Sequence, residues 1–131
     1  MAAFSKSLTD VQLEIMNLVW AHPECTVSFL WDELRERRPV ARNTVLTMVN
    51  RLVERGVLKR KRKGRSFVYS SRLSREVAQE TRVRDTVENL FQGSAESLIR
   101  SVLGHHPIDR EEIARLRKVL AEAEKRAKKR R

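Results

Sequence analysis

Apolar residues recur every three or four positions over most of this chain, and the one stretch where that period breaks is equally informative. Thr9-Asp10-Val11-Gln12 has the form of a capping box, in which a Thr oxygen accepts from the third helical amide and Gln12 reaches back. Val11, Ile15, Leu18 and Val19 follow at helical spacing with Met16 and Trp20 beside them, predicting a first helix that ends near His22-Pro23. A second helix is expected from Thr26 or Ser28. Val27, Leu30, Trp31 and Leu34 form its stripe, and the basic turn Arg35 to Pro39 closes it. A third is expected over Arg42 to Arg55, with Val45, Met48, Val49 and Leu52 facing inward and Gly56 as a left-handed C-terminal cap.

Then the period changes. Val57-Leu58 and Ser66 to Tyr69 are β-rich and flank a basic stretch with Gly64 at its turn, which predicts a β-hairpin with a charged tip. From Leu73 the pattern is helical again. Val83, Val87, Leu90 and Phe91 form one stripe, stopped near Gly93. Ser94 begins a shorter helix carrying Leu98, Ile99, Val102 and Leu103, stopped by Gly104 and Pro107. Asp109 and Glu112 make a capping-box-like pair for the last helix, Ile108 can staple to Ile113, and Ile113, Leu116, Leu120 and Ala123 mark its buried edge. There is no internal repeat. The change from strand to helix pattern at Ser70 to Ser74 sets the expected boundary, giving domains 1–72 and 73–131. The fold class expected is mainly α with a small β-hairpin: a winged helix-turn-helix N-terminal domain and a helical C-terminal dimerisation domain ending in a basic tail.

Composition narrows the classes. The chain has 131 residues, 40% of them hydrophobic and 5% aromatic, so it holds one domain or two small ones with a modest core. A chain this short and charged is expected to complete its burial by oligomerising. No apolar run approaches the ~18 residues of a membrane span, so no membrane insertion is expected. The N-terminus (MAAFSKSLTD) lacks the apolar core of a signal peptide. The single cysteine, Cys25, cannot make an internal disulfide or a multi-thiolate metal site, and a cytoplasmic protein is expected.

Charge supplies the first functional clue. Twenty-eight Lys and Arg against 17 Asp and Glu leave +11, which attracts polyanions. The cations cluster: Lys59 to Arg65 reads KRKRKGR and Lys125 to Arg131 reads KRAKKRR, each with six basic residues in seven. The third helix offers Arg42, Asn43, Thr44, Leu46, Thr47, Asn50 and Arg51 on the face away from its stripe. Asn can pair bidentately with adenine and Arg with guanine, while Thr can bond a phosphate or press its methyl on thymine. Lys61, Lys63 and Arg65 on the hairpin would flank the groove and neutralise phosphates, which positions a protein without conveying sequence. Helix order, hairpin position, basic tip and net charge together point to double-stranded DNA.

The segments LTDVQLEIMNLVW, ARNTVLTMVNRLVERGVLKR and GRSFVYSS closely resemble the penicillinase-repressor family (the BlaI/MecI/CopY type). Its T-x-x-T-x-x-x-R-L recognition core stands here as Thr44, Thr47, Arg51 and Leu52. LFQGSAESLIRSVL followed by IDREEIARLRKVLAE resembles that family's helical dimerisation region. The resemblance runs from about Leu8 to Glu124. It implies a bacterial homodimeric repressor that binds a palindromic operator near β-lactam-resistance or copper-homeostasis genes. It further implies that Arg42, Asn43, Thr44, Thr47 and Arg51 contact DNA. Leu46 stands where staphylococcal-type members carry Arg, which bears on the operator sequence. β-Lactam-responsive members are inactivated when a membrane sensor-protease system triggers cleavage of an Asn-Phe bond; the matching bond here is Ser101-Val102, a departure. Copper-responsive members use a C-terminal Cys-x-Cys pair, and no cysteine follows Cys25 here.

The residues argue separately for a dimer. The stripes Val83, Val87, Leu90 and Phe91, then Leu98 and Val102, then Ile113, Leu116 and Leu120 would leave large apolar faces exposed in a single copy. One recognition helix also reads only a few base pairs, whereas a two-fold dimer reads two half-sites. No catalytic constellation stands out. His22-x-x-Cys25 offers two ligands where a closed metal site needs about four. His105-His106 lies in an expected loop, and phosphate-loop, nucleophile-elbow and zinc-protease motifs are lacking. No enzyme activity, metal or cofactor is expected. The competing expectation is a polyanion binder that uses KRAKKRR on DNA, RNA or acidic lipid without sequence preference.

Overall fold

The computed structural model describes residues 7–130, and among them are six helices and one two-stranded antiparallel sheet. Helix α1 (Asp10–Ala21) opens on the expected capping box: the Gln12 amide donates to Thr9 Oγ1 at 3.2 Å, and the Thr9 amide donates to Gln12 Oε1 at 3.0 Å. Helix α2 (Val27–Leu34) is capped by Thr26, whose hydroxyl accepts from the Phe29 amide at 3.1 Å. Helix α3 (Arg42–Glu54) starts at Ala41, which has no side-chain acceptor to offer. Its far end is a Schellman turn: the Gly56 amide bonds Val53 O and the Val57 amide bonds Leu52 O, both at 3.0 Å. Gly56 sits at φ +78°, a conformation a Cβ would disfavour.

Strands β1 (Leu58–Lys63) and β2 (Ser66–Ser71) pair in register from Leu58 opposite Ser71 to Lys63 opposite Ser66. The structure corrects the expected hairpin. Most of the basic run is strand rather than tip: Lys59 to Lys63 follow the buried Leu58 in β1, and the turn is only Gly64-Arg65, with Gly64 at φ +63°. Every second residue of a strand faces the same side, so the run needs no core to hold it; the ladder to β2 does. Cys25 adds a short third segment, exchanging backbone hydrogen bonds with Tyr69 at 2.7 and 3.0 Å along the other edge of β2.

The core lies where these elements converge. Ile15, Met16 and Val19 of α1, Leu30 and Leu34 of α2, Val45, Val49 and Leu52 of α3, and Val57, Leu58 and Tyr69 are buried together. Each large side chain there contributes about 1.5–3 kcal/mol of transfer free energy. Two indoles close the edges: Trp31 donates to Val40 O and Trp20 to Leu73 O, each at 2.8 Å.

Helix α4 (Arg75–Asn89), capped by Ser74, belongs to the same compact unit, which ends at Leu90. It buries Ala78 and Thr81, and it is tied to the start of the chain by Arg82 to Asp10 at 2.8 Å and by the Ser7 amide to Asp85 at 3.2 Å. The expected stripe breaks at its end: Leu90 is the C-cap and Phe91 lies beyond the helix, because Gln92 (φ +49°) and Gly93 (φ +82°) turn the chain.

A second compact unit begins at Phe91 and holds α5 (Ala95–His105) and α6 (Arg110–Lys129). Ser94 and Asp109 are their caps, accepting from Ser97 at 3.1 Å and Glu112 at 2.9 Å. Gly104 does not stop α5, which runs through it to His105. The stop is Pro107, whose ring disfavours helical geometry at the residue before it, and His106 is extended. Neither helix buries a single residue.

Candidate nucleic-acid interface

Helix α3 turns Val45, Val49 and Leu52 into the core, which leaves its opposite face outward. Arg42, Asn43, Thr44, Thr47 and Arg51 are exposed on it. Leu46 and Asn50 differ from these, being half-buried, with Leu46 packed against the core cluster. Asn50 Oδ1 is fully enclosed and finds no hydrogen-bond partner among the described residues. A bidentate contact to adenine needs both ends of the amide, so Asn50 cannot make one in this rotamer. The Thr47 hydroxyl donates to Asn43 O at 3.0 Å, committing its proton to the helix and leaving its methyl and lone pairs outward. Because Ala41 supplies no cap, the first amides of α3 lack a side-chain acceptor, as does any helix end open to an anion. Arg42 donates to Ser28 Oγ at 3.3 Å, which holds its guanidinium beside the start of α2.

The wing has two unlike faces. Lys59, Lys61 and Lys63 alternate onto one, while Arg60 and Arg62 share the other with their cross-strand partners Tyr69 and Phe67. Arg60 lies 4.7 Å and Arg62 5.8 Å from the Phe67 ring centroid, a stacked arrangement that orders both guanidiniums. Phe67 is 39% exposed, so the stack stands in solvent rather than in the core. The sequence points to Lys61, Lys63 and Arg65, and the structure adds the stack of Arg60 and Arg62 on Phe67. The signal was present in the strict alternation of KRKRK opposite an aromatic strand. Lys63 is paired with Glu24 at 3.4 Å, but both are well exposed and such a pair is weak. A cleft of about 220 Å³ lies between wing and helices, bounded by Ser28, Arg42, Leu46, Arg65 and Phe67 among others.

The remaining candidates lie elsewhere. Cys25 is buried, its thiol donates to His22 O, and burial pushes its pKa up to about 11. His22 packs edge-on against Phe29 at 4.9 Å. Among the described residues no three His, Cys, Asp or Glu side chains come together to hold a metal ion. Ser101 and Val102 sit in the interior of α5. Val83, Leu90, Val102, Ile113, Leu116 and Leu120 are exposed, and Val87, Phe91 and Leu98 are half-buried. No helix among the described residues is long and apolar enough to cross a membrane.

Three helices, a basic wing and an outward polar helix define the class: a winged-helix DNA-binding protein. The sequence pattern described as Penicillinase repressor matches residues 8–122, and the chain belongs to that family of DNA-binding transcriptional repressors. It is 26% identical over 121 residues to the penicillinase repressor of Bacillus licheniformis, covering 92% of this chain and 94% of that one. It is 20% identical over 113 residues to the methicillin resistance regulatory protein MecI of Staphylococcus aureus (strain N315), covering 86% and 92%. Among solved structures, the DNA-binding domain of the repressor BlaI is 28% identical with a TM-score of 0.49, over 53% of this chain and 85% of that one.

Proposed function

We propose that this chain is a homodimeric repressor that recognises a palindromic operator. In this reading α3 enters the major groove and presents Arg42, Asn43, Thr44, Thr47 and Arg51. Leu46 and the Asn50 nitrogen stand at the edge of that surface, and Lys61, Lys63 and Arg65 hold flanking phosphates. The observation that carries it is the uncapped polar face of α3 bordered by a cationic wing. The relatives' names, a penicillinase repressor and a methicillin resistance regulator, support a β-lactam or cell-wall signal as the inducer. The second half then serves dimerisation through Val83, Val87, Leu90, Phe91, Leu98, Val102, Ile113, Leu116 and Leu120, and repression follows from occupancy of the operator. Derepression follows from losing the dimer, because each half alone binds weakly. Cleavage at Ser101-Val102 by a membrane sensor-protease system is one route. It requires α5 to unwind locally, since the bond lies within the helix.

Footprinting of the purified protein on the DNA of its source tests this. A repressor prefers its palindrome over random DNA by about 10³ or more. Arg51→Ala with Thr47→Ala is expected to remove most of that preference while the dimer persists; unchanged affinity in a gel shift would refute the role given to α3. The second reading is a non-specific polyanion binder, favoured by the exposed cations Lys125, Arg126, Lys128, Lys129 and Arg130 at the end of the chain. It predicts a steep salt dependence with no favoured sequence.

A further inference from the structure

On α6 the apolar residues Ile113, Leu116, Leu120, Ala123 and Ala127 recur in alternating steps of three and four, the seam of a two-stranded coiled coil. Yet no residue of this 20-residue helix is buried, and Leu120 is 67% exposed. Its two end turns differ in charge. Glu111 and Glu112 stand in the first turn, and Arg126, Lys128 and Lys129 in the last. A parallel partner of the same kind would set two basic ends side by side. An antiparallel one sets each basic end on an acidic end and opposes the two helix dipoles.

We propose that α6 pairs antiparallel with α6 of a second copy, around a two-fold axis beside Val119. The proposal deepens the homodimer reading and rests on it. In this register Ile113 packs on Ala123 of the second copy and Leu116 packs on Leu120. Large side chains meet small ones at both ends, and no layer is alanine on alanine. Val119 meets its own copy on one flank. Glu112 faces Arg126 of the second copy and Arg110 faces Glu124, each pair occurring twice by symmetry. Within one chain Glu112 and Arg126 have no ion pair among the described residues, and Glu124 reaches only Lys128, at 3.9 Å. The one like-charged contact is Arg117 on Arg117. Parallel pairing would instead put Ala123 on Ala123, pair Glu112 with Arg117, and leave Arg126 with no acidic partner.

Sedimentation equilibrium of the full chain separates these arrangements. Glu112→Arg and Arg126→Glu are each expected to weaken dimerisation by about tenfold or more, because an attraction becomes a repulsion at two symmetric places. Combining them is expected to restore it to within about threefold. Arg117→Gln is expected to tighten the dimer, whereas in a parallel pair it would loosen it. Val119→Cys in a Cys25→Ala background is expected to cross-link two copies under mild oxidation. A dimer that Arg117→Gln weakens, and that the double reversal fails to restore, overturns the antiparallel pairing and leaves the homodimer standing. A chain that is monomeric at every concentration removes both.

Discussion

Asn50 and Cys25 look like functional side chains in the sequence, and in the structure part of Asn50 and the thiol of Cys25 are enclosed. The enclosed Asn50 Oδ1 has surrendered its water without a replacement among the described residues, which costs about 1–3 kcal/mol for such a group. Asn50→Ala removes that cost and improves helix propensity. It is expected to raise stability by about 1 kcal/mol, seen as a thermal midpoint a few degrees higher. Cys25 is held neutral by burial, its pKa moved from 9.0 up to about 11. The folded state therefore keeps its thiol proton where the unfolded chain loses it. This stability is complete below pH 9 and disappears as pH rises to about 11. Thermal melts of the native chain should fall more steeply across that window than those of Cys25→Ala. At pH 8 a thiol reagent should label the folded protein at least about tenfold more slowly than the unfolded one. Neither environment was legible from the residues alone, because burial of one atom depends on packing between elements distant in sequence.

At the scale of elements, the wing was legible in kind and misjudged in extent. Gly64 and the β-rich flanks mark a hairpin, but five successive cations suggest a tip rather than a strand, because charge is depleted from most strands. A two-stranded edge with both faces partly in water tolerates it, and the ladder with β2 supplies the hydrogen bonds. The strand and its turn predict two phenotypes. Lys61→Ala with Lys63→Ala is expected to weaken specific and random DNA about equally and to lower the slope of log affinity against log salt by about two. Gly64→Ala meets no steric neighbour, so its cost is the positive φ alone, about 1 kcal/mol, read in chemical denaturation. The helix starts were the most legible elements: Thr9, Ser94 and Asp109 cap the helices that follow them, and of Thr26 and Ser28 it is Thr26 that caps α2, since a cap is decided by contacts within four residues.

For the whole molecule, the contrast between the two units governs function. The first buries the apolar stripes of α1 to α3 and leaves Val83 and Leu90 of α4 exposed, while the second leaves Ile99, Val102, Leu103, Leu116 and Leu120 in water. A helix pair with so much exposed apolar surface gains little by folding alone. Leu116→Asp places a charge in the middle of the α6 seam and is expected to yield monomers in sedimentation. Operator affinity should then drop by about 10² or more as the second half-site is lost. A Leu116→Asp chain that still sediments as a dimer would show that α6 is not the interface.

What the sequence determined by itself was local: where helices begin, which faces are apolar, where the period switches to strand, and that the chain carries a polyanion-binding charge. These depend on neighbours within a turn or a ladder pair, so a linear pattern encodes them. The tertiary structure decided that α4 packs with the first unit through Arg82 and Asp85, that Leu46 and Asn50 are drawn partly inward, and that Arg60 and Arg62 stack on Phe67. Each of these requires atoms brought together from separate parts of the chain, and only the packed fold specifies such meetings.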